Sequence, residues 1–273
     1  MNKKLRAGLI GAAAAAAAVP VYLVAPGWLS KKKKQLFTGI NYAHRGLHSR
    51  DMSVPENSLE AFRLAAQEGY GAELDVQLSK DGQVVVFHDD TLNRVCGVDA
   101  RVDELTYEEL KKLSLCGTEH RIPLFTEVLE TYNGASSLIV ELKTGRRNKE
   151  LCKKTYKLLK TYKGNVCIES FDPFIVAWFR FHAPGMVRGQ LAMASARYKN
   201  KTKFQQFMLS HTLFNFLTRP HFIAYDLVTQ RPLLVRLCER MGAIKIGWTA
   251  WRDRYEVEFD SVIFEFFKPK TKY

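Results

Sequence analysis

The chain lacks several signatures that would fix its class at once, and each absence removes a possibility. Among 273 residues there are only five cysteines. Cys96, Cys116, Cys152, Cys167 and Cys238 are scattered, with no pair at metal-ligand spacing. That argues against a disulfide framework and a cysteine-held zinc site, and an odd, unpatterned set is the usage of a reducing compartment. No glycine-rich phosphate loop is present, so nucleotide-binding folds built on one have no support. There is no internal repeat, and no low-complexity tract beyond the alanines at 12–18. Nor is there a recognition-helix pattern or an aromatic RNA-binding motif, so the net charge of +13 is not a nucleic-acid footprint. The excess gathers instead in Lys31-Lys32-Lys33-Lys34 and in Lys268, Lys270 and Lys272. What remains has ordinary apolar and charged fractions and a length that suits one barrel-sized domain after a short N-terminal segment.

That segment is basic from Met1 to Arg6 and then uncharged over 7–29. The stretch is long enough to span a bilayer, and Trp28 followed by four lysines reads as an interfacial end. A cleaved signal peptide is the rival, given the small residues around Ala25. The expectation is an uncleaved single-pass anchor over 1–34, with Lys31–Lys34 against anionic lipids. A folded domain over 35–273 then faces the cytosol.

Within that domain, apolar strand patterns alternate with helical ones. Strands are expected at 40–44, 71–78, 138–143, 166–171, 187–192, 222–226, 244–249 and 262–266. Helices are expected at about 58–68, 126–132, 148–162, 204–217 and 232–241, with a further one opening at Asp172-Pro173, a cap and a first-position proline. Asn57 caps the helix after the first strand, with Glu60 reaching back. Residues 89–122 read as a polar, irregular insertion except for a capping box at Thr106 and Glu109. Strands alternating with helices imply a parallel sheet, and eight of them a closed (β/α)₈ barrel; a doubly wound open sheet is the alternative.

The chemistry concentrates between residues 44 and 88. In 71–78 the side chains alternate, placing Glu73, Asp75 and Gln77 on one face. Asp81-Gly82 between two apolar runs signals a hairpin. With those two as the loop, Lys80 pairs with Gln83 and Asp75 lies opposite His88, pointing the same way. Paired carboxylates on strands buried on both faces hold a cation more readily than they sit in solvent. Glu141 and Lys143, two apart on a strand, share a face. A plain ion pair would explain those two alone, but Glu141 beside Glu73 and Asp75 makes a third oxygen ligand, suited to Mg²⁺ or Ca²⁺ rather than zinc.

Five pieces in order resemble the glycerophosphodiester phosphodiesterase signature: His44-Arg45-Gly46, Pro55-Glu56-Asn57-Ser58, Glu73-Leu74-Asp75-Val76, Val86-Phe87-His88-Asp89 and Glu141-Leu142-Lys143. The likeness runs over roughly 42–269 and is loosest in the basic, aromatic stretch 195–218. It implies a (β/α)₈ barrel that hydrolyses glycerophosphodiesters with one divalent cation on Glu73, Asp75 and Glu141. His44 and His88 are then the acid–base pair, Arg45 and Lys143 face the phosphate, and Glu56 holds Arg45 or the cation. Trp248 matches an aromatic position and walls the glycerol pocket. No serine, threonine or cysteine stands beside a histidine in these motifs, so no residue suggests itself as a covalent nucleophile. A neighbouring glycerol hydroxyl of the substrate takes that place. Two alternatives are a lysophospholipase D acting on membrane lysophospholipids and a catalytically dead phospholipid-binding barrel, the latter opposed by the intact histidines and carboxylates.

Overall fold

Eight parallel strands close into a barrel in this computed structural model, which describes residues 18–252, 255 and 257–273. The strands are β1 (Asn41–Ala43), β2 (Gly71–Leu78), β4 (Leu138–Leu142), β5 (Val166–Ser170), β6 (Val187–Ala192), β7 (Phe222–Asp226), β8 (Ile244–Ala250) and β9 (Ser261–Phe264). β1 pairs with both β2 and β9, which closes the sheet. The strands are nearly all buried, as parallel strands covered on both faces require.

β3 (Val84–Val86) is the antiparallel return of the hairpin, and its register differs by one residue from the expected pairing. Ser79, not Lys80, meets Gln83, so the loop holds three residues, with Gly82 at φ +78°, as three-residue hairpins favour. Asp75 therefore lies opposite Phe87, whose amide bonds to its carbonyl at 3.0 Å. His88 follows in a bend beyond the strand.

Helices α2 (Leu59–Gln67), α3 (Phe125–Tyr132), α4 (Asn148–Leu159), α5 (Pro173–His182), α6 (Lys203–Ser210), α7 (Asn215–Thr218) and α8 (Leu233–Arg240) follow their strands. The single helix expected over 204–217 is two, parted at Thr212, which has φ +52°. Ser58 rather than Asn57 caps α2, accepting from the Ala61 amide at 3.2 Å. The expected box at Thr106 and Glu109 and the Asp172 cap are both present. The insertion after β3 is less polar than expected, because Phe87, Leu92, Val95, Val102, Leu110 and Ile122 give it a core of its own.

Tyr42, Ile139, Cys167, Val187, Phe222 and Ile263 fill the barrel, and Leu29 and Phe37 pack against them. Between those two lies the short helix α1 (Lys31–Lys34). The Lys33 and Lys34 ammonium groups donate to the carbonyls of Gly185 and Gly242, in the turns that lead into β6 and β8. Residues 29–37 thus cover the end of the barrel where strands begin, opposite the end where barrel active sites lie.

This corrects the expected anchor. Residues 18–24 are helical, but Val24 is fully buried against Leu213, Ile223, Tyr225 and Val235. Arg219 donates to the Tyr22 and Ala25 carbonyls at 2.9 Å, Asn215 to that of Val24, and Gly27 to that of Pro220. A Cβ at Gly27 would stand 2.5 Å from the Arg219 carbonyl oxygen, so this contact needs glycine. The C-terminal part of the uncharged stretch is therefore barrel surface, and Lys33 and Lys34 serve the barrel. Among the described residues no helix is long and apolar enough to cross a membrane; residues 1–17, which carry the rest of that expectation, lie outside them.

Candidate active site

Parallel registration assembles the acids. Asp75 of β2 pairs with Glu141 of β4, and Glu141 with Glu169 of β5, so three carboxylates stand in a row across adjacent strands at the C-terminal end of the barrel. Glu73 lies two residues before Asp75. Oxygen atoms of Glu73, Asp75 and Glu141 come within 4.8 Å of one another, all three buried. Glu169 is just as buried and was not anticipated, because a lone acid in Val-Cys-Ile-Glu-Ser carries no motif.

Two cations face these four carboxylates. The Lys143 ammonium is 2.9 Å from Glu141 and 3.3 Å from Asp75. Arg45 is 2.8 Å from Glu56 and 3.6 Å from Asp75 through its guanidinium, and its amide donates to Glu73 at 3.1 Å. Arg45 has φ +54°, which turns that amide inward. Asn57, at φ +56°, donates to Asp75 at 2.9 Å; freed from capping, it steadies the acid row.

The imbalance shows in the acidities. Burial, Asp75 and Glu141 hold the Glu73 carboxyl well above its ordinary value. Burial, Glu141 and Asp75 do the same for Glu169. Asp75 falls far below, because Lys143, His88 and Arg45 outweigh the burial that would raise it. Attraction to Glu141 and Asp75 likewise lifts Lys143 against burial. Buried carboxylates whose charged forms are disfavoured by burial and by one another, with an Asp75 Oδ1 paired to the Lys143 ammonium at 3.3 Å, are what an oxygen-ligated divalent cation fits.

His44 follows β1, and Glu265 follows β9, its neighbour. Glu265 Oε1 stands 3.3 Å from His44 Nδ1 and 3.0 Å from His48 Nε2, and Oε2 accepts from the Trp251 indole at 3.1 Å. These contacts hold the Glu265 carboxyl far below its usual range. His44 Nε2 is then directed 4.0 Å from Glu73. Burial first, then Arg45, lowers the His44 pKa, with Glu265 opposing. Neither Glu265 nor His48 was anticipated, since the partners lie 217–221 residues apart; adjacency of first and last strands in a closed barrel is the signal that finds them.

His88 is held differently. Its Nδ1 is 2.6 Å from Asp89, and the Gln77 amide donates to the carbonyls of Phe87 and Asp89 at 2.8 Å, bracketing it. Arg94 from the insertion bridges Asp89 and Glu56. Glu56 thus ties Arg45 to Arg94.

One cavity of about 410 Å³ brings these groups together, with His44, Arg45, Glu56, Glu73, His88, Glu141 and Trp248 in its walls. Asp75 and Lys143 are not in its walls and meet it through Arg45 and Glu141. Trp248 donates its indole N–H to the Ala224 carbonyl at 3.1 Å and meets Phe171 edge-on at 5.6 Å.

The chain also has relatives among known proteins. Residues 44–263 match the glycerophosphoryl diester phosphodiesterase family. A glycerophosphodiester phosphodiesterase of Caldanaerobacter subterraneus is 31% identical over 224 residues, covering 77% of this chain and 85% of the relative. A human lysophospholipase D is 34% identical over 150 residues, or 50% of this chain and 46% of the relative. Among solved structures, an Oleispira antarctica phosphodiesterase in complex with the product sn-glycerol-3-phosphate superposes with a TM-score of 0.69 over 84% of this chain and 94% of that one. At 23% identity the likeness is one of fold. The glycerophosphodiester phosphodiesterase of Thermotoga maritima gives 0.63 at 27% identity, over 82% and 93%.

Proposed function

Because the chain belongs to the glycerophosphoryl diester phosphodiesterase family and is an enzyme of that kind, we propose that it releases sn-glycerol 3-phosphate and an alcohol, with one divalent cation, Mg²⁺ or Ca²⁺, held by Glu73, Asp75 and Glu141 and with His44 and His88 as the acid–base pair. The observation that carries this is the convergence of three buried carboxylates with two carboxylate-held histidines around one cavity. When bound, the cation supplies positive charge that polarises the phosphoryl group and offsets the repulsion among the acids.

The protein's own groups do the rest. Arg45 lines the cavity with a guanidinium suited to two parallel hydrogen bonds to phosphate oxygens. Lys143 neutralises Glu141 and Asp75; a cation held by those acids would free its ammonium to face the phosphate. Trp248 and Phe171 give the glycerol an apolar wall. Both histidines have Nδ1 engaged by a carboxylate, which fixes the ring and keeps Nε2 for proton transfer. One takes a proton from the neighbouring glycerol hydroxyl as it attacks phosphorus, the other protonates the leaving alcohol oxygen as its bond to phosphorus breaks, and water then opens the resulting cyclic glycerol phosphate to sn-glycerol 3-phosphate.

Attachment to a membrane by residues 1–21, with the barrel on the cytosolic side, belongs to the same proposal. Its support is the uncharged composition of 7–21 and the exposure of Val19 and Val21. Release of the chain by a carbonate wash would overturn it.

The central test is turnover of glycerophosphocholine by purified protein, with and without EDTA, followed by Mg²⁺ or Ca²⁺. Chelation should abolish the reaction and either ion restore it, while Glu73→Gln should lower the rate by about 10³-fold or more. Full activity in excess EDTA removes the cation from the account.

A further inference from the structure

From Pro173 to Tyr225 the chain carries no aspartate or glutamate, although these make up 28 of its 273 residues. Seven lysines and arginines fall in the same stretch. It supplies α5, β6, α6 and α7, which lie together on one flank of the barrel. Arg197 finds its partner, Asp226, just beyond the stretch. Arg180 and Arg188 donate instead to the carbonyls of Phe216, Leu217 and Thr218 at the end of α7. Lys199, Lys201 and Lys203 stand exposed, with no ion pair among the described residues. The charge of this flank is thus left for something outside the protein.

The same flank exposes aromatic rings. Phe174 and Phe181 are 66% and 61% exposed. They stand seven residues apart on α5, hence on one side of it and about 10 Å from each other along its axis. Phe204, 71% exposed, and Phe207 repeat the arrangement on α6. Contacts join the rings into one surface. Phe174 meets Phe214 at 6.2 Å, and Phe216 meets Tyr22 at 6.5 Å. Arg180 lies 5.1 Å over Phe181, and Arg219 lies 4.7 Å over Tyr22. Between Leu36 and Phe174, by contrast, no large apolar side chain among the described residues is exposed. Gathered exposed rings mark an interaction surface, where scattered ones do not.

We propose that this flank, α5, α6 and α7 with the helical residues 18–24 beside them, docks on the surface of an anionic lipid bilayer. Rings interleaved with cations and free of acids suit the headgroup layer, where the rings sink to the acyl boundary and the cations meet phosphate. The preceding chain points to the same occupant. Tyr22 places residues 18–24 on this flank, and residues 1–17 hold Lys3, Lys4 and Arg6 followed by an uncharged stretch. Nucleic acid would meet the charge, but these rings lie along helices, not in a groove that tracks a strand. The docking is separate from attachment through residues 1–21 and from the reading of the catalytic cavity. It lays the barrel on its side, with the catalytic opening at the edge of the contact.

The experiment mixes the full chain with vesicles of phosphatidylcholine, alone or with phosphatidylglycerol, whose brominated acyl chains quench nearby tryptophan. Phe204→Trp and Phe207→Trp put a reporter on the flank, at exposed positions where folding is at little risk. Arg63→Trp puts one on α2, which follows β1, the strand opposite β6 in the barrel. On vesicles with phosphatidylglycerol, the first two variants should be quenched beyond wild type and the third should add nothing. Glutamine at Lys199, Lys201 and Lys203 together should weaken the docking by about 10²-fold, read as loss of the added quenching. A chain tethered by residues 1–21 alone would quench all three reporters alike or none of them, and either result overturns the proposal. So does added quenching that is indifferent to phosphatidylglycerol, and so does retention of single-stranded RNA without quenching on the flank.

Discussion

Replacing Glu169 with glutamine should stabilise the metal-free protein at neutral pH, an unusual outcome for a change inside the barrel. Glu169 is 1% exposed, and its Oε2 has no hydrogen-bond partner. Burial, Glu141 and Asp75 hold its carboxyl well above the ordinary range. A raised folded pKa leaves stability intact below the unfolded value near 4.3. Above that value the unfolded chain releases a proton that the folded one keeps, so stability is lost as pH rises through the folded pKa. At pH 7 the folded protein carries that loss, which burial and the neighbouring acids impose. Glutamine removes it but brings an amide whose burial without partners costs about 1–3 kcal/mol. A net gain on the order of 1 kcal/mol is expected, or roughly 2–4 °C in Tm for a domain of this size. Thermal unfolding of EDTA-treated wild type and Glu169→Gln from pH 4 to 8 measures this. The gain should vanish near pH 4 and shrink in saturating Mg²⁺, which lets the carboxyl ionise. A Tm at pH 7–8 equal to or below that of wild type, or the same gain at pH 4, refutes the reasoning.

Glu265→Gln should lower kcat/KM by about 10²-fold, and because Glu265 raises the His44 pKa, the limb of the pH–rate profile that His44 controls should move to lower pH; an unmoved limb separates Glu265 from catalysis. A chain beginning at Gln35 loses Val24 and Leu29, each worth about 1.5–3 kcal/mol of burial before the entropy of ordering the segment is set against it, and should melt several degrees below one beginning at residue 18; equal Tm values would show that the docked segment contributes nothing. Removing the glycerol hydroxyl next to the phosphoester, as in a 2-deoxy analogue, should slow turnover by orders of magnitude with little loss of binding, since a held internal hydroxyl supplies up to roughly 7–11 kcal/mol; comparable hydrolysis of the analogue would point to direct attack by water.

Residues close in sequence and regular in period were the legible part. Glu73 and Asp75 declare a shared face by alternation, and eight apolar runs between helical ones declare a parallel barrel. The hairpin slipped by one because Asp-Gly also ends a three-residue loop, and only the pairing of Ser79 with Gln83 distinguishes the two. Glu169 and Glu265 stayed hidden because their meaning lies in neighbouring strands, Glu141 beside one and His44 beside the other. Residues 22–29 misled for a different reason. An apolar stretch states that it must leave water, not whether a bilayer or the flank of a barrel receives it.

The pairing of β1 with β9 also sets when this enzyme can begin to work. His44 meets Glu265 only once 221 further residues have been made. The last residues complete the seam as well: the Asn41 side chain donates to the Lys270 carbonyl, the Asn41 amide to that of Thr271, and the Tyr70 hydroxyl to that of Pro269. A nascent chain on the ribosome therefore carries His44, Arg45 and the carboxylate row long before anything holds His44 in place. Such late, long-range closure is slow and leaves strand edges open meanwhile. The unfinished protein thus lacks what holds its first histidine, and removing residues 269–271 should lower activity from a part of the chain far in sequence from that histidine.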